Sequence, residues 1–291
     1  MVLSATITQG FDTLRQHLEI TGLQEATVSK RQRNVRDAIE AELTVLDSFL
    51  TGSYRRNTMI APLSSADVDL FIVLHSSYYR ANGAAALLDR VKAVLLNTYA
   101  RTPEISRSGQ AVTITFTDFQ VDVVPAFHRQ GGGFLIPNAR TNQWILTDPK
   151  EHVTLWSKAN AAHNGDLVPL IKMIKQWNRS HSNLLRSFHL ETLILNVLTN
   201  VTISDFRSGA RYVFDKMHAL VQEAVADPAG YSGNLGAYLD TQQKINDVCA
   251  RLTTACQRAR EAERFEAQGR TDLAYEQWRL IFGDKFPAFR G

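Results

Sequence analysis

Three aspartates carry the first chemical signal in this chain. Asp67 and Asp69 open the apolar run Leu70-Phe71-Ile72-Val73-Leu74, so on a strand both carboxylates point to one face. Two acids held side by side cannot both stay ionised without a cation between them. Just upstream, Gly52-Ser53 forms a small turn whose backbone N–H groups and hydroxyl suit a phosphate. The third acid, Asp122, lies in Phe119-Gln120-Val121-Asp122-Val123, again opposite the apolar positions. Mg²⁺ takes hard oxygen ligands, and a pair of such ions clamps the attacking and leaving oxygens of a nucleotidyl transfer. Three carboxylates converging from two strands beside a Gly-Ser turn therefore describe a site for a metal-bound triphosphate, with Mg²⁺ the expected ion and Mn²⁺ a substitute.

The elements that must position these residues follow from periodicity. Residues 4–18 read as a short amphipathic helix. A longer one is expected over 25–50, because Val28, Val35, Ile39, Leu43, Leu46 and Leu50 recur at helical spacing and Gly52 suits its stop. Val68, Leu70, Ile72 and Leu74 share one parity, so they face a helical layer while Asp67 and Asp69 face the other way. Residues 84–100 read as a helix. Ala111 to Phe116 has its apolar residues at even numbers, and after Thr117-Asp118 the parity changes to Phe119, Val121 and Val123, which requires a turn and two strands. Gly131-Gly132-Gly133 marks a loop before a strand-like piece at Trp144-Ile145-Leu146. Beyond about 166 strand patterns give way to helical stretches at 167–180, 187–201, 207–226, 237–265 and 268–282. The expected class is α+β, a mixed sheet with flanking helices over residues 1–165 and a helical lobe over 166–291, with ligands in a crevice between them.

Composition narrows the function classes. The 291 residues are 44% apolar and 21% charged, with 32 basic and 29 acidic side chains and a net charge of +3. That balance permits an anionic substrate, but it is too small for the basic groove of an enzyme that extends RNA ends. Cys249 and Cys256, seven apart on one helix face, read as small buried hydrophobes rather than a disulfide, and zinc ligands are not nearby. The opening Met1-Val2-Leu3-Ser4-Ala5-Thr6 lacks the pattern of a signal peptide, and no apolar run approaches bilayer length. A cytoplasmic protein with no membrane partner is expected.

Gly52-Ser53, Asp67-Val68-Asp69 and Val121-Asp122-Val123 together resemble the polymerase-β-type nucleotidyltransferase superfamily. Adding Lys172-Met173-Ile174-Lys175-Gln176-Trp177-Asn178, Ser187-Phe188-His189-Leu190-Glu191 and the closing Ala274-Tyr275-Glu276-Gln277-Trp278-Arg279-Leu280-Ile281-Phe282-Gly283, the chain resembles the bacterial cGAS/DncV-like nucleotidyltransferases, relatives of oligoadenylate synthase, over nearly its whole length. The resemblance implies a bilobed fold and template-independent joining of nucleoside triphosphates, ATP and GTP among them, with release of pyrophosphate. It implies a cyclic di- or trinucleotide messenger for anti-phage signalling, cyclic GMP-AMP or another purine-containing product. A regulatory protein and a downstream effector are the partners it suggests, with nucleic acid not required. Linear oligonucleotide synthesis, RNA-end transfer and a non-enzymatic nucleotide- or RNA-sensing role stand as alternatives.

On this resemblance Asp67, Asp69 and Asp122 are catalytic and metal-binding, and Gly52 and Ser53 hold phosphate. Lys172 and Lys175, three apart on helix 167–180, are triphosphate candidates, with Lys175 the better match; the other reading is a solvated helix face. Ser187 reads either as a helix cap or as a triphosphate contact, and Phe188 either as a base-stacking ring or as core. Arg55 or Arg56, the Asn142-Gln143-Trp144 run, His128 and Arg129 are weaker candidates. Asp118 reads as a turn residue rather than a fourth ligand, and His189 and Glu191 as structural partners.

Overall fold

A computed structural model describes residues 5–102 and 104–290, so Ser4, the expected first residue of the opening helix, lies outside the described residues. The first helix, α1 (Ile7–Leu18), begins with a capping box in which Thr6 and Gln9 satisfy each other's backbone N–H. The chain divides into two compact units, Ile20–Leu155 and a discontinuous one made of Met1–Glu19 with Trp156–Gly291. The expected boundary at 165/166 is thus replaced by 155/156, and α1 belongs with the C-terminal helices. Its apolar stripe is the reason: Phe11 packs edge-on against Trp278, Phe282 and Phe286, with ring centroids at 4.8, 5.9 and 5.3 Å.

In the Ile20–Leu155 unit, α2 (Gly22–Glu40) is followed by β1 (Val45–Leu50), the four-residue α3 (Gly52–Arg55), β2 (Asp67–Leu74) and α4 (Ala84–Thr98). Then come β3 (Glu104–Ser108), β4 (Ala111–Thr115), β5 (Gln120–His128), β6 (Phe134–Asn138) and β7 (Gln143–Thr147). The helix expected over 25–50 is therefore two elements. Val28, Val35 and Ile39 are buried on α2 as the periodicity requires, but the chain leaves the helix after Glu40, and 45–50 pairs antiparallel with β2 (Leu50 opposite Leu70, Phe49 opposite Phe71). The sheet order is β1-β2-β5-β4-β3, with β6 on β5 and β7 on β6. Only the β2–β5 pairing is parallel among those described.

The two faces of this sheet differ as the strand parity requires. Val68, Leu70, Ile72 and Leu74 join Val112, Ile114, Val121, Val123 and residues of α2 and α4 in one core. The opposite face carries a smaller cluster of Phe71, Val73, Ala111, Val124, Ala126 and Phe134. Asp67, Asp69 and Asp122 have the parity of this second face.

The helical unit takes the second half of α5 (Pro149–Ala162), then α6 (Leu167–Ser180), α7 (Ser187–Leu198), α8 (Phe206–Leu220), α9 (Gln242–Ala267) and α10 (Thr271–Phe282). Each overlaps an expected stretch, but α8 stops six residues before the expected 226 and α9 starts five after the expected 237; α5 is an addition. Helix α6 is buried all round, Lys172 and Lys175 included, which corrects the reading of its lysines as a solvated face. Among the described residues no helix is long and apolar enough to cross a membrane.

Candidate active site

Register places the acids. On the parallel pair β2–β5, Asp69 lies opposite Asp122 and Asp67 opposite Gln120. Adjacent strands run about 4.8 Å apart, so Asp69 and Asp122 are neighbours across the two strands, with Asp67 one step along the same face. Burial raises the pKa of Asp67, whose residue keeps exposed surface although protein crowds its carboxyl. Asp122 is raised too, first by burial and further by the charge of Asp67, against a hydrogen bond that lowers it. That bond comes from Thr113, directly opposite on β4, whose Oγ1 donates to Asp122 Oδ1 at 2.5 Å.

Gly52 closes the site from the side. Its φ is +62°, and a Cβ there would lie 1.7 Å from Asp69 Oδ2. No side chain can occupy that space, so the glycine is required both by backbone conformation and by the close approach of the carboxylate. The strand and the turn are tied together by the Thr51 N–H, which donates to the Asp69 carbonyl at 2.9 Å. Ser53 is half-buried, and its carbonyl accepts the N–H groups of Thr58 and Met59 at 2.9 and 3.1 Å, which folds the loop back on itself. Among the described residues no three His, Cys, Asp or Glu side chains are grouped so as to hold a metal ion by themselves. Asp67, Asp69 and Asp122 share one face of the sheet without forming such a group. Acids so placed still fit Mg²⁺, which keeps several waters and takes one or two carboxylates plus substrate phosphates. Acids whose pKa values are already raised by crowding gain from such an ion.

In the helical unit the four candidates stand in two different settings. Lys175 pairs with Glu191 at 3.0 Å, the two side chains 8% and 0% exposed. Lys172 is paired with Glu19 at 2.6 Å. The cap of α7 is Arg186, in extended backbone, and Ser187 is the first helical residue, so the expectation of Ser187 as the cap is off by one position. Ser187 is exposed, and half-buried Phe188 stacks on Trp156 with centroids 5.5 Å apart. His189 and Glu191 are buried, as structural partners should be.

Two of the weaker candidates, Asn142 and Trp144, make structural hydrogen bonds. Asn142 accepts from the Ala85 N–H and donates to the Asn82 carbonyl, and the Trp144 indole donates to the carbonyls of Arg80 and Ala81. Both therefore pin β7 to the loop before α4. Gln143, at the start of β7, is exposed; Arg55 is exposed and Arg56 buried. His128 ends β5 at the opposite end from Asp122, with Arg129 beyond it. Asp118 accepts from its neighbour's N–H and from Arg31, which is the turn role expected for it.

The family model for the Second Messenger Oligonucleotide or Dinucleotide Synthetase domain matches residues 5–160, more than half of the chain. The chain belongs to this synthetase family. It is 25% identical to a cyclic AMP-AMP-AMP synthase of Acinetobacter sp., an alignment covering 97% of this chain and 86% of that one. Among solved structures it is similar to Escherichia coli CdnC in complex with HORMA-deltaN (TM-score 0.76, 16% identity, 97% of this chain and 98% of the other). It is also similar to the Vibrio cholerae cyclic AMP-GMP synthase DncV, a prokaryotic cGAS homologue (TM-score 0.70, 15% identity, 96% and 87% covered). These likenesses show the nucleotidyltransferase fold, and the identification from motifs as a bacterial cGAS/DncV-like nucleotidyltransferase holds.

Sequence reasoning on this synthetase missed Thr113. The signal was available: a hairpin folded at Thr117–Asp118 puts Thr113 opposite Asp122, and the observed register does so.

Proposed function

We propose that this chain joins nucleoside triphosphates, ATP and GTP among them, into a cyclic di- or trinucleotide that acts as a second messenger in anti-phage signalling. One observation carries the proposal. Asp69 and Asp122 face each other in register with Asp67 beside them, and Gly52 lies against Asp69 where no Cβ fits. Family membership supplies the reaction class, and the product classes are those of its relatives: a cyclic trinucleotide and a cyclic AMP-GMP.

In this proposal Asp67, Asp69 and Asp122 hold Mg²⁺, or Mn²⁺ in its place. The bound metal supplies positive charge for the developing oxyanions and for pyrophosphate departure, and makes the acceptor hydroxyl more acidic. The chain's own groups do the rest. Asp122 takes the proton of the ribose hydroxyl as that oxygen attacks the α-phosphorus. The Ser53 hydroxyl and the Gly52 N–H donate to phosphate oxygens and hold the leaving group in line. From the helical unit Ser187 and Phe188 serve as nucleotide contacts, the exposed hydroxyl toward phosphate and the ring toward a base. Lys172 and Lys175 are contacts that would keep their carboxylate partners while meeting phosphate. A last attack, by the free hydroxyl of the linear product on the α-phosphorus of its own 5′-triphosphate, closes the ring and releases a further pyrophosphate. The protein works in the cytoplasm with its substrates. A regulatory protein is proposed by analogy with the HORMA complex, along with an effector that reads the product.

The test is incubation of the pure protein with labelled nucleotide mixtures and Mg²⁺ or Mn²⁺, followed by phosphatase. A phosphatase-resistant product is expected; a fully phosphatase-sensitive one would indicate linear oligonucleotides. Asp67→Ala with Asp69→Ala should remove turnover, and EDTA should remove it from the wild type. Turnover that survives the double substitution would sink the site assignment.

A further inference from the structure

Thr113 lies on β4 with strand neighbours on both sides, opposite Ser106 on β3 and Asp122 on β5. Its backbone is therefore fixed by two ladders, and its branched side chain has a stiff χ1. The residue is 9% exposed. Residues 111, 113 and 115 alternate with the core positions Val112 and Ile114, so the hydroxyl stands on the same face as the acids. An ionised carboxylate has no proton to give, so in the Oγ1–Oδ1 contact the hydroxyl is the donor.

This matters because the terminal torsion of an aspartate is broad. Asp69 and Asp67 approach Asp122 only from the side of β2, and like charges there push its carboxylate away without choosing an angle for it. A hydrogen bond from a rigid neighbour does choose one. We infer that Thr113 is a positioning residue that fixes the plane of the Asp122 carboxylate, so that one oxygen is held by the protein and the other is presented to the reacting centre. The inference rests on the role of Asp122 proposed above. A valine there would keep the shape and β-branching while removing the donor. A serine would keep the donor while removing the methyl group.

The experiment compares Thr113→Val and Thr113→Ser with the wild type in three measurements. These are kcat and KM for nucleotide conversion, thermal unfolding, and Mn²⁺ binding by electron paramagnetic resonance with a non-hydrolysable ATP analogue and no turnover. Removing a partner that orients a ligating group typically costs 10–100-fold in activity or metal affinity. Thr113→Val should therefore lose roughly 10–100-fold in kcat, with KM nearly unchanged, and weaken Mn²⁺ binding by about tenfold. Thr113→Ser should recover most of both. If Thr113→Val does not fold, Thr113→Ala removes the same donor and is compared with Thr113→Ser in its place. Wild-type kcat and Mn²⁺ affinity in the donor-less variant would overturn the inference, as would a serine variant that falls equally far. The Asp67→Ala, Asp69→Ala protein separates the two failures. If it is inactive while the donor-less Thr113 variant behaves as wild type, only the inference fails; if it stays active, the site itself has been misassigned.

Discussion

A methyl group on residue 52 would sit 1.7 Å from Asp69 Oδ2 on a backbone at φ +62°. The left-handed conformation costs an L-residue about 1–2 kcal/mol, and the contact cannot be relieved unless the carboxylate moves. Gly52→Ala should therefore lower stability by about 1–2 kcal/mol in urea titration. It should also lower kcat by roughly a hundredfold, the scale at which a displacement of about 1 Å is felt in a catalytic constellation. A variant with the stability loss but full kcat would show that Asp69 need not stay where it is. At this scale the sequence was informative, because each acid and the glycine have a reason that residue type and spacing alone express. It was less so for Lys172 and Lys175. Nothing in their spacing reveals that Glu19 and Glu191 meet them, since those partners come from distant chain positions brought together by helix packing.

Elements were legible where one face is buried and the other is not. The parity of β2, β4 and β5 could be read because alternation is fixed by the pleat. Strand β1 could not, since Leu43, Leu46 and Leu50 satisfy helical spacing and only pairing with β2 decides the matter. The edge strand β3, Glu-Ile-Ser-Arg-Ser, has little apolar signal, and β6 contains Pro137, which argues against a strand. Helix α7 offers a test of its packing through pH. His189 is 1% exposed, and Tyr238, whose hydroxyl also accepts the Arg186 N–H, meets its Nδ1 at 3.0 Å. Burial lowers its pKa from 6.5 to about 4. The folded protein thus binds this proton less readily than the unfolded chain, so the stability is fully present above about pH 6.5 and is lost as the pH falls toward 4. The shift corresponds to about 3 kcal/mol. His189→Gln should flatten the slope of unfolding free energy between pH 6.5 and 4 by that order, measured by urea titration at several pH values. An unchanged slope would mean that other groups carry the acid sensitivity.

For the whole molecule, the unexpected feature is that one unit is discontinuous in sequence, with Ile20–Leu155 placed between α1 and the other helices of its unit. Hydrophobic periodicity marks α1 as amphipathic, but it does not name the surface the stripe covers, so neighbourhood in sequence alone places α1 with the unit that follows it. The aromatic rings are what decide it. Phe11, 3% exposed, meets Trp278, Phe282 and Phe286, and Tyr275 donates its hydroxyl to the Thr6 carbonyl at 2.7 Å. The helical unit therefore completes its core only by recruiting the opposite end of the chain. Phe11→Ala should cost about 3–5 kcal/mol, and the loss should be local. In hydrogen exchange followed by mass spectrometry, peptides covering α6 and α10 should exchange faster in the variant, while those covering β2 and β5 keep wild-type protection. Equal acceleration in the sheet peptides would show instead that the two units open as one cooperative body, and that the division seen in the contacts has no counterpart in stability.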